Sequence, residues 1–255
     1  MRFSKYSGCG NDFVIVDKAE LSAAFSSEEV RFLCHRHQGI GADGVILYGP
    51  SLIADFSMHI YNADGSEASM CGNGIRCLAH ALFPKIKSPH FTIQSKAGMH
   101  QINIEEDEIT VSMTPPQVQN EELTLSVEEK KWVGMHINTG VPHFVIKSEN
   151  LSEVDVEKVG KQLRFHPHFG QEGSNVTFYA ITQDGIAIRT YERGVEAETL
   201  ACGTGACAAA YAADFSSVYV KLPSQESLFI SVEKKTGSIF MKGKVKHIFD
   251  GVLTR

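Results

Sequence analysis

The chain has 255 residues, 43% of them hydrophobic and 21% charged, so it is large enough to bury a core without covalent staples, as one large domain or two ordinary ones. It carries no long uncharged apolar run, and its start, Met1-Arg2-Phe3-Ser4-Lys5-Tyr6, lacks the apolar stretch of a secretory signal, so a soluble cytoplasmic protein with no membrane partner is expected. A net charge of −6 with interspersed signs gives no basic stripe for a phosphate backbone, which argues against a nucleic-acid partner, and six cysteines without a signal peptide read as reduced thiols.

Short β-rich runs bounded by Gly, Pro, Asn or Asp occur at Phe13–Val16, Val45–Tyr48 and Phe56–Tyr61. Between the first two, Ser27–Cys34 has a capping serine and apolar residues at helical spacing. A Gly-rich turn then leads into a predicted helix over Ile75–Leu82, ended before Pro84, and strands follow at Phe91–Gln94, His100–Ile104 and Ile109–Met113. Pro115-Pro116 and the polar, acidic stretch Gln117–Glu122 form the clearest composition break and read as a linker.

Beyond it the order recurs. Strands are expected at His136–Asn138 and Phe144–Ile146, a helix at Asp155–Leu163, and strands at Val176–Ile181 and Ile186–Tyr191. A second Gly-rich turn opens a small-residue helix, Cys202–Ala213, and the remaining runs, Val218–Leu222, Leu228–Val232, Ser238–Lys242 and Val245–Phe249, again read as short strands.

The recurrence extends to identity. Glu67-Ala68-Ser69-Met70-Cys71-Gly72-Asn73-Gly74 aligns without gaps to Glu198-Thr199-Leu200-Ala201-Cys202-Gly203-Thr204-Gly205, 131 positions on and about half the chain away. Such a repeat implies a duplicated domain with one cysteine in each half.

Each of these cysteines sits where a loop enters a helix, so unpaired amides of the first turn should point toward it. A free thiol titrates near ~8.5, and a helix N-terminus can bring it to roughly neutral, which suits general acid–base work near pH 7. Inverting an α-carbon without a cofactor needs a base on one face and an acid on the other. Cys71 and Cys202 supply two such groups, and the amides at both helix starts would hold the carboxylate and stabilise charge spreading into it. Glu192-Arg193, at the end of a predicted strand, could orient a thiol and pair with a carboxylate, and His143 could assist Cys71. Cys77 and Cys207 read as packed small groups, no spacing is that of a zinc site, and Gly8-Cys9-Gly10 lacks the third glycine of a dinucleotide fingerprint.

Taken together, Gly10-Asn11-Asp12-Phe13, Asn62-Ala63-Asp64-Gly65-Ser66, Cys71-Gly72-Asn73-Gly74-Ile75-Arg76-Cys77, Glu192-Arg193-Gly194 and Ala201-Cys202-Gly203-Thr204-Gly205-Ala206 resemble the diaminopimelate epimerase family, in its order and over most of the chain. The resemblance implies an α/β (α+β) fold of two pseudo-symmetric domains from a duplication, each a curved, mostly antiparallel sheet around a central helix, with the active site in the interdomain cleft. The halves are expected at 1–116, joined by a returning C-terminal strand at about 246–255, and at 117–245. By motif it makes Cys71 and Cys202 the acid–base pair. Asn11, Asn62, Gly72, Asn73, Asn175, Glu192, Arg193, Gly203 and Thr204 are the substrate-binding positions. The implied reaction interconverts LL- and meso-diaminopimelate, feeding lysine and peptidoglycan synthesis, with no pyridoxal phosphate, no metal and a small amino acid as the partner; a homodimer is compatible.

Two departures from the family pattern stand out. Gly140-Val141-Pro142-His143 replaces the family's usual Gly-Asn-Pro-His, and Gly44 follows Asp43 where a glutamine is usual. Both leave the two-thiol chemistry intact while altering the distal pocket. The alternatives are a broader or different two-thiol amino-acid racemase, acting for example on glutamate, and an amino-acid-binding protein that kept the fold without the chemistry.

Overall fold

In a computed structural model describing residues 1–254, every β-rich run noted above falls on a strand, with only Leu222 and Val245 left just outside the strands Ser217–Lys221 and Lys246–Val252. The first stretch of chain forms β1 (Arg2–Gly8), β2 (Asn11–Asp17), α1 (Ser27–Cys34), β3 (Gly44–Gly49), β4 (Phe56–Asn62), β5 (Glu67–Ala68), α2 (Gly72–Ile86), β6 (His90–Ser95), β7 (Gly98–Glu105) and β8 (Glu108–Met113). The second forms β9 (Gln117–Val127), β10 (Lys130–Asn138), β11 (Pro142–Lys147), α3 (Lys161–Arg164), β12 (Asn175–Thr182), β13 (Gly185–Glu192), β14 (Ala197–Thr199), α4 (Gly203–Ala212), β15 (Ser217–Lys221), β16 (Ser227–Glu233), β17 (Ser238–Lys244) and β18 (Lys246–Val252). Two compact units result: Met1–Ser112 with the segment beginning at Lys242, and Met113–Met241.

The duplication is visible ladder by ladder. In the first unit β1 pairs antiparallel with β18 and β2, β2 parallel with β3, β3 antiparallel with β4, β4 antiparallel with β5 and parallel with β6, and β6 antiparallel with β7. The second unit repeats the pattern strand for strand, from the antiparallel ladders β9–β10 and β10–β11 through parallel β11–β12 to parallel β13–β15 and antiparallel β15–β16. In this correspondence β18, the last strand of the chain, plays for β1 the part that β9 plays for β10.

Each unit places one helix against several strands. The helix α2 packs on β1, β2, β3 and β18, and α4 on β10, β11, β12, β13, β15 and β16. The composition of α4, Gly-Thr-Gly-Ala-Cys-Ala-Ala-Ala-Tyr-Ala, explains how strands can approach from so many sides: seven of its ten residues are buried and none carries a charge. The opposite face of the first sheet is covered by α1, where Val30 and Leu33 meet Val14, Val16, Val45 and Leu47. Val156, Leu163, Phe144, Phe178 and Tyr191 form the corresponding outer cluster of the second unit.

Four local expectations change. The helix α2 does not stop before Pro84 but runs to Ile86, because a proline in the last turn costs one backbone bond and the next turn still closes through the Lys87 amide on the Phe83 carbonyl, 2.9 Å, with Lys87 in the left-handed region. Gln117–Glu122 is no linker: it is the exposed first half of the eleven-residue β9, whose polar side chains face solvent while its backbone pairs with β10. The helix expected over Asp155–Leu163 splits into a π-turn, Val156–Gly160, and the single turn α3; Asp155 caps the segment by accepting from the Lys158 amide at 3.0 Å. In α1 the capping serine is Ser26, in a reciprocal box with Glu29.

Candidate active site

Cys71 is the N-cap of α2 and Cys202 the N-cap of α4, each with extended backbone (φ −140°, ψ 118° and φ −128°, ψ 103°) before the chain turns helical. Gly72 and Asn73 form the first turn behind Cys71, and Gly203 and Thr204 the first turn behind Cys202, so all four predicted helix-start residues bring backbone amides to the mouth of a helix. Cys71 is partly exposed, and its Sγ accepts the Gly74 amide at 3.5 Å, as a capping serine would. Cys202 is buried and makes no such cap; its Sγ lies 3.5 Å from Thr204 Oγ1.

The two helix starts rest on chemically different floors. Ile46 and Ile60, partners across β3–β4, point their Cδ1 atoms at Gly74, where an added Cβ would lie 3.1 and 2.9 Å from them. The corresponding ladder partners of the second unit are Thr177 and Thr190, whose hydroxyls stand 3.1 Å apart and 3.0 and 3.1 Å from the Cβ position of Gly205. His143 is wholly buried. Its Nδ1 meets Thr177 Oγ1 at 3.0 Å and its Nε2 meets Thr204 Oγ1 at 2.9 Å, so a hydroxyl–imidazole chain runs Thr190–Thr177–His143–Thr204 and ends beside Cys202. Burial, reinforced by the positive charge of Arg193 and by His136, pushes the His143 imidazole down to about 3, which keeps it neutral. The sequence had linked His143 to Cys71; in the second unit its ring nitrogens are engaged by Thr177 and Thr204.

Glu192 closes the other side of Cys202. Its carboxylate accepts from Thr199 Oγ1 at 2.9 Å and is hydrogen-bonded to Cys202, while burial raises its pKa against those two bonds. Asn175, 2% exposed, is committed at both ends of its amide: Nδ2 donates to the Pro142 carbonyl at 2.8 Å and Oδ1 accepts the Arg193 amide at 2.8 Å. It thereby fixes the backbone on which His143 and Arg193 stand. The Arg193 guanidinium lies 3.5 Å from the exposed carboxylate of Glu172.

In the first unit Asn73 donates from Nδ2 to Asn11 Oδ1 at 2.7 Å, and Asn11 donates in turn to Asp43 Oδ2 at 3.3 Å. Asn62, at the exposed end of β4, donates to Ser66 Oγ at 3.0 Å across the turn that follows. Asp12 is paired with Lys5 at 2.7 Å and with Arg36 at 2.9 Å; burial alone would raise its pKa, but the bonds and charges of Arg36 and Lys5 hold it well below the carboxylate range.

Among the described residues no group of three or more His, Cys, Asp or Glu side chains is arranged to hold a metal ion. Sequence reasoning missed Thr177, Thr190 and Thr199, since a threonine in a strand carries no signal of what lies above it. It also assigned nothing to Arg76, although the residue stands inside a motif that was singled out.

The same fold of two helix-on-sheet units is found in solved structures of an epimerase and of a phenazine biosynthesis protein. The chain superposes on a hydroxyproline epimerase from Agrobacterium vitis with a TM-score of 0.77, 14% identity, and coverage of 98% of this chain and 91% of that one. A phenazine biosynthesis protein of the PhzF family from Bacillus anthracis gives a TM-score of 0.75 at 17% identity, covering 100% and 99%. In sequence, the Diaminopimelate epimerase family matches over residues 3–119 and 135–248, and the chain belongs to that family. Relatives named diaminopimelate epimerase include those of Aquifex aeolicus (39% identical, covering 100% of this chain and 98% of the relative), Hydrogenobaculum sp. (39%, 100% and 99%) and Chlorobaculum tepidum (36%, 97% and 99%). Among the described residues no helix is long and apolar enough to cross a membrane.

Proposed function

We propose that this chain is an isomerase that interconverts LL- and meso-diaminopimelate, one cysteine removing the α-proton and a second delivering a proton to the opposite face. The observation that carries the reading is the duplicated N-cap, Cys71 on α2 and Cys202 on α4, in a chain whose full-length relatives are named for that reaction. One cysteine acts as thiolate and takes the α-proton; the electron pair left by the C–H bond delocalises into the carboxylate. The other cysteine acts as thiol and delivers its proton to the opposite face. Nothing is oxidised or reduced, and the roles exchange in the reverse direction. Amides of Gly72, Asn73, Gly203 and Thr204 hold the carboxylate as charge develops, and Glu192 orients the Cys202 proton. Two working thiols require a reducing compartment, which makes the cytoplasm the expected location.

The test is turnover of each isomer separately in D2O under reducing conditions. At low conversion the product should carry deuterium at the inverted carbon and the remaining substrate should carry little, since each proton acceptor serves one face. Cys71→Ala and Cys202→Ala should each abolish inversion. Equal labelling of substrate and product would point to a single base and sink the two-cysteine mechanism.

A broader substrate range is favoured by one feature, the pair Val141 and Gly44, which place no side-chain amide where the family commonly has one. α-Proton exchange into L-glutamate at a rate comparable with diaminopimelate would establish that range; exchange confined to diaminopimelate would remove it.

A further inference from the structure

Arg76 is completely buried in the first two turns of α2. Its guanidinium donates to the Gly72 carbonyl at 3.0 Å, to Asn73 Oδ1 at 2.8 Å and to Cys9 Sγ at 3.2 Å. From Asn73 the bonding continues outward: Asn73 Nδ2 to Asn11 Oδ1 at 2.7 Å, then Asn11 Nδ2 to Asp43 Oδ2 at 3.3 Å. Asp43 is itself held by the Asp12 amide at 3.1 Å and by Arg36 at 2.8 Å.

The two ends of this chain differ in kind from its middle. A guanidinium can only donate and a carboxylate can only accept, whereas a side-chain amide does both and can turn either way. With a donor fixed at one end and an acceptor at the other, both intervening amides must point in the same sense, oxygen toward Arg76 and nitrogen toward Asp43. Reversing either would set two oxygens or two NH2 groups against each other. Each amide keeps one N–H after these bonds, and both remaining N–H groups are aimed by the chain rather than by the amides' own preference.

We propose that Arg76 and Asp43 are positioning residues that lock the side-chain amides of Asn11 and Asn73 in a single orientation, so that the site beside Cys71 presents fixed N–H donors to the carboxylate of an amino-acid substrate. This deepens the functional reading above and rests on it for the identity of the ligand. The orientation itself is a property of the unliganded protein and can be read without turnover.

The experiment compares Arg76→Lys, Arg76→Gln, Asp43→Asn and Arg36→Gln. Lysine is still donor-only and keeps the lock; glutamine and asparagine can both donate and accept, and release it. Arg36→Gln removes the ion pair to Asp43 without changing the carboxylate that Asn11 uses. In 15N-labelled protein without substrate, the side-chain amide resonances of Asn11 and Asn73 should be single and slowly exchanging in wild type, Arg76→Lys and Arg36→Gln. They should broaden or double in Arg76→Gln and Asp43→Asn. With diaminopimelate, KM should rise three- to tenfold in the two releasing variants while kcat stays within about twofold, and Arg36→Gln should keep a KM within twofold of wild type. Single, protected resonances in Arg76→Gln and Asp43→Asn overturn the proposal whether or not the enzyme acts on diaminopimelate. An equal rise in KM for Arg36→Gln and Asp43→Asn also overturns it, by tracing the effect to the ion pair. If Arg76→Gln fails to fold, the Asp43→Asn and Arg36→Gln comparison decides alone. Normal resonance behaviour with no turnover of any isomer would sink the functional reading and leave the lock standing.

Discussion

The Nε2 atom of His143 lies 2.9 Å from Thr204 Oγ1, and that hydroxyl lies 3.5 Å from the sulfur of Cys202. A neutral imidazole at the back of a thiol is thus joined to it through a single hydroxyl. Burial drives the imidazole down to about 3, so near neutral pH this histidine works as a neutral donor and acceptor.

That depression links His143 to stability. The folded state refuses a proton that the unfolded chain accepts near 6.5, so the benefit of a neutral His143 is complete above about pH 6.5 and is lost as pH falls toward 3. Across that window the residue should contribute a slope of up to about 1.4 kcal/mol per pH unit. Urea unfolding at pH 7, 6, 5 and 4 should show a shallower acid decline for His143→Gln than for wild type, although the variant is less stable at pH 7. Parallel curves would show that His143 takes up a proton in the folded protein.

Glu192 has the opposite sign. Its pKa is raised by burial, only partly offset by the bonds from Thr199 and Cys202, so the folded state holds its proton to higher pH than the unfolded chain does. Its contribution is fully present below the unfolded carboxyl pKa and is lost as pH rises through the folded value. Glu192→Gln should therefore gain in stability relative to wild type on going from pH 4 to pH 8, while turnover falls by about 10²-fold or more because Cys202 loses its carboxyl partner. A variant whose relative stability is the same at both pH values would argue against a raised carboxyl.

The contrasting floors under the two helix starts give a paired prediction. Alanine at Gly205 would set a methyl 3.0 Å from Thr177 Oγ1, 3.1 Å from Thr190 Oγ1 and 3.3 Å from Cys202 Sγ, and the two hydroxyls cannot swing away without breaking the Thr190–Thr177–His143 bonds. At Gly74 the close atoms are the Cδ1 ends of Ile60 and Ile46, which can rotate. Overpacking of this kind costs about 1–3 kcal/mol, set against up to about 1 kcal/mol gained in helix propensity. Thermal melting should show Gly74→Ala within about 1 kcal/mol of wild type and Gly205→Ala clearly destabilised, with its kcat reduced at least tenfold. Equal effects would mean that the hydroxyl pair is as yielding as the isoleucines.

Much of this molecule was legible in one dimension. The repeat around Cys71 and Cys202 already implied two copies of one unit, because a Gly-rich turn into a small-residue helix is a local pattern that hydrophobic periodicity and turn chemistry encode directly. Most strand positions followed for the same reason. The short β5 and β14 left no periodicity to read, and β1 starts too close to the N-terminus and alternates too weakly. The polar first half of β9 looked like a linker because a strand with one face in water is held by its backbone ladder, to which composition is blind.

The sequence by itself determined the two thiols, the helix starts that hold them and the family to which the chain belongs, since each is written in contiguous residues. Only tertiary structure decided that Thr177 and Thr190 stand beneath one helix start and Ile46 and Ile60 beneath the other. Only tertiary structure, likewise, showed that Arg76 reaches Asp43 through two asparagines. Those relationships join residues as far as 62 positions apart through strand pairing and a buried side chain, and no local preference of the chain specifies which side chains such pairing will bring together.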